Sequence, residues 1–107
     1  MKNMCVIFVG ANDVQIAEPD APGTIKDGHA LVESLYTSIS AGTELACLSG
    51  NESWFKFPNV PGYCNVGRIV ALGANAGDFH EGDLVFSFGK HQKYNMVSTK
   101  DFLLKAP

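Results

Sequence analysis

Glycine and proline interrupt this chain along its whole length, and their spacing restricts it to short regular elements. Eleven glycines and five prolines are spread through 107 residues rather than gathered into a linker. That distribution suits a domain of short strands joined by many turns. A single core of this length lies near the commonest domain size, so residues 1–107 read as one domain. Hydrophobic residues make up 46% of the chain and charged ones 18%. The apolar share supports a packed core, and the charge is too sparse for a disordered tail.

Between the glycines and prolines the elements follow in order. Met4 to Val9 is a β-rich run that ends at Gly10-Ala11-Asn12-Asp13, a turn. Val14 to Ala17 alternates in character and completes a β-hairpin. Glu18 to Gly28 contains Pro19, Pro22, Gly23 and Gly28 and reads as loop. Ala30 to Ile39 is a strand. Thr43 to Leu48 reads as a helical turn, with Thr43 as the capping hydroxyl and Gly50 closing it. Asn51 to Gly62 is an aromatic loop carrying Trp54, Phe55 and Phe57. Further strands are expected at Asn65–Leu72, Leu84–Phe88 and Tyr94–Val97, with another short one at Asp101–Leu104. The fold class is mainly β with one or two short helices, a small barrel or partly open sheet sandwich.

Composition also excludes some functions. The formal net charge is −3, and the cations are scattered apart from Lys90 and Lys93. Nucleic-acid binders usually show a basic patch, so none is expected as a partner. No stretch approaches the roughly 20 apolar residues of a membrane span. Met4 to Val9 is too short for a signal-peptide core, so a cytoplasmic location without membrane contact is expected. Three cysteines without Cys-x-x-Cys spacing argue against a disulfide framework and a zinc knuckle.

Two stretches carry a family pattern. The first is Ile39-Ser40-Ala41-Gly42-Thr43-Glu44-Leu45, followed by Gly50. The second runs Val60-Pro61-Gly62-Tyr63-Cys64-Asn65-Val66-Gly67-Arg68-Ile69-Val70, and then Phe79-His80-Glu81-Gly82-Asp83-Leu84-Val85. In order and spacing they resemble the N-terminal, GroES-like catalytic domain of the medium-chain dehydrogenase/reductase superfamily, which includes zinc alcohol dehydrogenases and quinone oxidoreductases. The resemblance runs from about residue 3 to Pro107 and implies a partly open GroES-like β-barrel. Independently of the family, Gly62 and Gly67 suggest close backbone approach or a bent sheet.

The chain departs from the zinc-dependent pattern. Zinc members carry a cysteine just before the Gly-Thr pair and a His-Glu pair just after the Pro-Gly, where this chain has Ala41, Tyr63 and Cys64. Alanine cannot coordinate metal, and a phenol is a poor zinc ligand. The four-cysteine structural lobe is also missing between Val85 and Tyr94. The resemblance therefore implies no zinc, with Thr43 and Tyr63 as catalytic hydroxyls that meet the oxyanion left by hydride addition. Thr43 is equally a helix cap, and Tyr63 equally a space filler. Glu44, Trp54, Phe57 and His91 are candidates for the substrate pocket. Glu44 also suits the helix dipole, the aromatics suit a barrel lid, and a loop histidine is usually exposed. Cys64, Cys5 and Cys47 read as inert buried thiols.

The superfamily holds NAD or NADP on a Rossmann domain, and no Gly-x-Gly-x-x-Gly unit opening a helix occurs here. The expected function is the substrate-side domain of a zinc-independent NAD(P)-dependent oxidoreductase, acting on a small carbonyl, alcohol or activated alkene. Alone it is expected to be inactive and to bind no cofactor. The expected partners are a small-molecule substrate, a Rossmann domain in cis and a second copy in a homo-oligomer. The alternatives are a stand-alone, non-catalytic binding or assembly module and a small co-chaperonin. The chain lacks the long glycine-rich loop that the co-chaperonin would need.

Overall fold

The computed structural model describes residues 1–101 and 103–106. In chain order its elements are β1 (Cys5–Gly10), β2 (Asp13–Ala17), β3 (His29–Thr37), α1 (Ala41–Leu48), β4 (Asn65–Leu72), β5 (Leu84–Ser87), β6 (Tyr94–Ser98) and β7 (Leu103–Lys105). The expected mainly β architecture is present, with one helix among the described residues. The final strand lies at Leu103–Lys105; Phe102, within the stretch expected as strand, is outside the described residues.

β1 and β2 form an antiparallel hairpin, turned by Asn12 at φ 59°. Asparagine is among the few side chains that enter this left-handed region readily. The other strands make a five-stranded antiparallel sheet in the order β6-β3-β4-β5-β7. Single bridges join the hairpin to the rest, at Cys5–Gln92 and Phe8–Asn59. The two sheets do not close into a barrel. Openness shows in the radius of gyration, 14.2 Å, against about 13 Å for a compact chain of this length.

Alternation along the strands builds two separate cores. β3 and β4 turn Ala30, Val32 and Ile69 inward, where they meet Val85 of β5 and Leu103 of β7. Each such buried aliphatic side chain stabilises the fold by about 1.5–3 kcal/mol. The second core is smaller and gathers Phe8 of β1, Cys47 of α1 and Phe55. It fastens the helix and the aromatic loop to the hairpin, and the site is built around it.

One inward position of β4 is polar. Asn65 is 1% exposed, and its Nδ2 donates to Ser34 Oγ at 2.7 Å. Ser34 Oγ in turn donates to the Gln92 carbonyl at 2.6 Å. Asn95 ties down the same connection, accepting from Lys90 N at 2.9 Å and from Gln92 Nε2 at 2.8 Å. Among the described residues Asn65 Oδ1 finds no partner, while the bonds that its amide nitrogen and neighbours do make favour one geometry. Here the network holds the 88–93 connection between β5 and β6, including Lys90 and His91.

Close backbone approach falls at Gly67 within β4, as expected, where a Cβ would overlap the Glu33 carbonyl, and at Gly73 after it. A Cβ there would overlap the Lys26 carbonyl, whereas one at Gly10 would meet nothing within 4 Å. We therefore expect Gly73→Ala to cost about 2–3 kcal/mol in urea unfolding, as overpacking against backbone does. Gly10→Ala should fall within about 0.5 kcal/mol of wild type. Equal midpoints for the two variants would contradict the packing described here.

Candidate active site

α1 begins earlier than the sequence suggests. Ser40 is its N-cap, and the helix runs Ala41–Leu48. The expected capping role of Thr43 is therefore corrected: Thr43 lies inside the first turn and is exposed. The Ser40 side chain makes no capping bond either. Instead the Glu44 carboxylate reaches back, and its Oε2 accepts the Ser40 N–H at 2.9 Å. This resembles the return arm of a capping box, in which a carboxylate satisfies an amide at the helix start. Gly50 ends the helix as expected, at φ 85° with its N–H on the Cys47 carbonyl.

The other Glu44 oxygen meets His91. Oε1 lies 2.8 Å from Nε2, and the two side chains are 12% and 8% exposed. His91, a pocket candidate whose alternative reading was an exposed loop histidine, is instead buried. Gly62 explains the burial. At φ 108° it lies against the His91 backbone and ring, where a Cβ would sit 2.8 Å from His91 N. His91 N–H donates to the Pro61 carbonyl at 2.9 Å, and its own carbonyl accepts from Val6. The histidine thus ties the Pro61–Gly62 segment, β1 and α1 to one point.

A cleft of about 140 Å³ opens between these parts. Thr43, Glu44 and Cys47 border it from α1; Trp54 and Phe55 come from the aromatic loop, and Asn59 through Tyr63 from the segment before β4. Lys90 closes one corner. The aromatic wall is a packed stack: Phe55 sits edge-on to Trp54 at 6.0 Å and to Phe57 at 5.7 Å. The indole N–H of Trp54 is held by Glu52 at 2.9 Å.

The fold thus brings Thr43, Glu44, Trp54 and Tyr63 to one hollow, although twenty residues separate the first and last. Phe57 does not border it; its ring packs behind Phe55 in the second core. His91 does not border it either, but holds Glu44 from behind. Lys90 and Asn59 escaped sequence reasoning, and Lys90 Nζ donates to Asn59 Oδ1 at 3.1 Å. The only available signal was the position of Lys90 beside His91 in the short β5–β6 connection.

The cysteines divide by position. Cys5 and Cys47 are buried as expected, whereas Cys64 is exposed, because it precedes the point where β4 enters the sheet. Among the described residues no three His, Cys, Asp or Glu side chains approach closely enough to hold a metal ion. Ala41, Tyr63 and Cys64, which the resemblance sets against the zinc ligands, offer a methyl, a phenol and a single thiol, a poor donor set for a zinc ion. The Gly73–Gly77 turn leads to β5 rather than to a helix N-terminus.

Residues 26–103 match the alcohol dehydrogenase GroES-like domain. The chain belongs to that family. Among solved structures, this GroES-like domain is similar to the human synaptic vesicle membrane protein VAT-1 homolog-like protein, at 23% identity and TM-score 0.89 over 100% of the chain. An alcohol dehydrogenase superfamily protein from Novosphingobium aromaticivorans matches at 20% identity and TM-score 0.88 over 98% of the chain. A putative NADPH:quinone reductase from Bacillus thuringiensis matches at 23% and 0.86 over 100%. The domain spans only 36%, 34% and 34% of those three chains. Among curated proteins none matches. Likeness at this identity speaks to the fold. No helix among the described residues is long and apolar enough to cross a membrane.

Burial raises the Cys47 thiol above its ordinary value of 9.0, with the Glu52 and Glu44 carboxylates adding to the shift. Its neutral form is therefore favoured in the fold. As pH rises, the unfolded thiol ionises first, so the contribution is complete below 9.0 and is lost as pH climbs through the raised folded value. Between about pH 7 and about pH 10 the wild type should lose more stability than Cys47→Ala in urea titrations. A disulfide reagent should label Cys64 rapidly in the native protein and Cys47 only on unfolding.

Proposed function

We propose that this domain forms the substrate-side wall of a zinc-independent, NAD(P)-dependent oxidoreductase acting on a small carbonyl, alcohol or activated alkene. The single observation that carries this reading is the cleft, which Thr43 and Tyr63 border together with an aromatic wall. In the parent enzyme a Rossmann domain in cis would hold the dinucleotide and close the open side of the cleft. The short span of this domain relative to its structural neighbours supports such a companion.

The nicotinamide, when bound, supplies or accepts the hydride. The residues of this chain handle the oxygen. Hydride addition leaves negative charge on the substrate oxygen, and in the absence of zinc that charge needs hydrogen-bond donors held in place beforehand. The Thr43 hydroxyl and the Tyr63 phenol supply them. Trp54 and Phe55 present apolar surface to the carbon skeleton and keep water away, which strengthens those bonds. Glu44 fixes the turn that carries Thr43 through its bond to Ser40, and His91 fixes Glu44.

In the parent enzyme Tyr63→Phe and Thr43→Val should each lower turnover by on the order of 10²–10³, the usual cost of one oxyanion donor. Thr43 makes no capping bond, so both variants should keep wild-type melting temperatures. Unchanged turnover in both folded variants would remove the hydroxyls from the mechanism. Elemental analysis of the purified protein should find no stoichiometric zinc, and one tightly held zinc per chain would overturn the metal-free reading.

A further inference from the structure

Resting on that reading, we propose that the cleft selects a small planar substrate carrying a carboxylate, and that Lys90 sets this preference. Two side chains of ordinarily fixed charge border the hollow, Glu44 and Lys90. They are not equally available. Both Glu44 oxygens are engaged inside the protein, one by His91 at 2.8 Å and the other by the Ser40 N–H at 2.9 Å. Both carboxylate oxygens thus already hold protein partners.

Lys90 is in the opposite situation. Among the described residues its ammonium forms no ion pair. Its side-chain partner is a neutral amide oxygen, Asn59 Oδ1 at 3.1 Å. An ammonium has three N–H donors, so this contact leaves two for a ligand. Asn59 is itself well placed to aim it. Its backbone exchanges two hydrogen bonds with Phe8 of β1, and its Oδ1 also accepts the Val60 N–H at 2.9 Å. The cation is therefore held at the corner of the cleft by a preset acceptor.

Size and wall chemistry narrow the ligand further. The hollow of about 140 Å³ is close to the cavity of about 150 Å³ known to accept benzene. Trp54, Phe55, Val60 and Pro61 give it apolar walls suited to a flat ring or a conjugated chain. A single ring or short enoyl group fits between them, with its carboxylate at Lys90 and its reacting carbonyl or alkene toward Thr43 and Tyr63.

The test uses the 107-residue chain, with benzoate and the neutral acetophenone as probes. Binding is followed by amide shift changes at Thr43, Tyr63 and Lys90. Benzoate should bind about fivefold more tightly than acetophenone, a modest factor because the exposed ammonium is screened. The advantage should vanish in about 1 M salt, where the Debye length is about 3 Å. It should also vanish in Lys90→Met, and in Asn59→Asp, which keeps the shape and neutralises the ammonium. Equal binding of the two probes, or an advantage that survives both variants, overturns the carboxylate preference and leaves the oxidoreductase reading standing. Binding of neither probe, or shifts confined to other surfaces, overturns both.

Discussion

The Glu44 carboxylate is the point on which the site depends. One oxygen closes the first turn of α1 through Ser40, and the other holds His91, 47 residues away. Through His91 the same contact reaches the Pro61 carbonyl and the Val6 amide. The helix, the aromatic loop, the segment before β4 and the hairpin are thus referred to one buried polar pair. Such a pair is a weak source of net stability, since two polar groups must leave water. What it supplies is position: Thr43 sits one residue from Glu44, and Tyr63 one residue from the glycine that covers His91.

Two cores divide the mechanical work. The aliphatic core between β3, β4, β5 and β7 holds the five-stranded sheet together. The second, around Phe8, Cys47 and Phe55, has little to do with that sheet and instead seats the helix and the aromatic wall. Separation of this kind lets the walls of the cleft vary without disturbing the sheet. It also accounts for the extended shape, because the hairpin meets the remainder through isolated bridges rather than a continuous ladder.

Between the two lies the polar network of Asn65, Ser34, Gln92 and Asn95. Ser34, Asn65 and Asn95 stand on strands, and Gln92 belongs to the β5–β6 connection itself. Main-chain bonds anchor the β5–β6 connection at His91, to Pro61 and Val6, and at Lys93, to Met4 and Ser34. Buried amides and hydroxyls add side-chain bonds to its main chain at Lys90 and Gln92, which aliphatic groups cannot make. The direct consequence is that Lys90 and His91 hold defined places beside the cleft.

Local features were legible in the residues alone. Alternation and turn chemistry located the hairpin with its Asn12 turn, the strand Asn65–Leu72 and the closing Gly50, since each depends on neighbours a few residues away. Glycines at close approaches were visible too, because only glycine leaves room for a carbonyl or ring where a Cβ would stand. Tertiary structure decided the rest. It buried His91 under Gly62, started α1 at Ser40 so that Thr43 fell inside the first turn, packed Phe57 behind the wall, and set Lys90 against Asn59. Each of these outcomes turns on a contact or packing geometry that propensity does not encode. A lysine or histidine in a loop looks the same in sequence whether it faces water or a carboxylate, and only the arrangement of distant segments determines which.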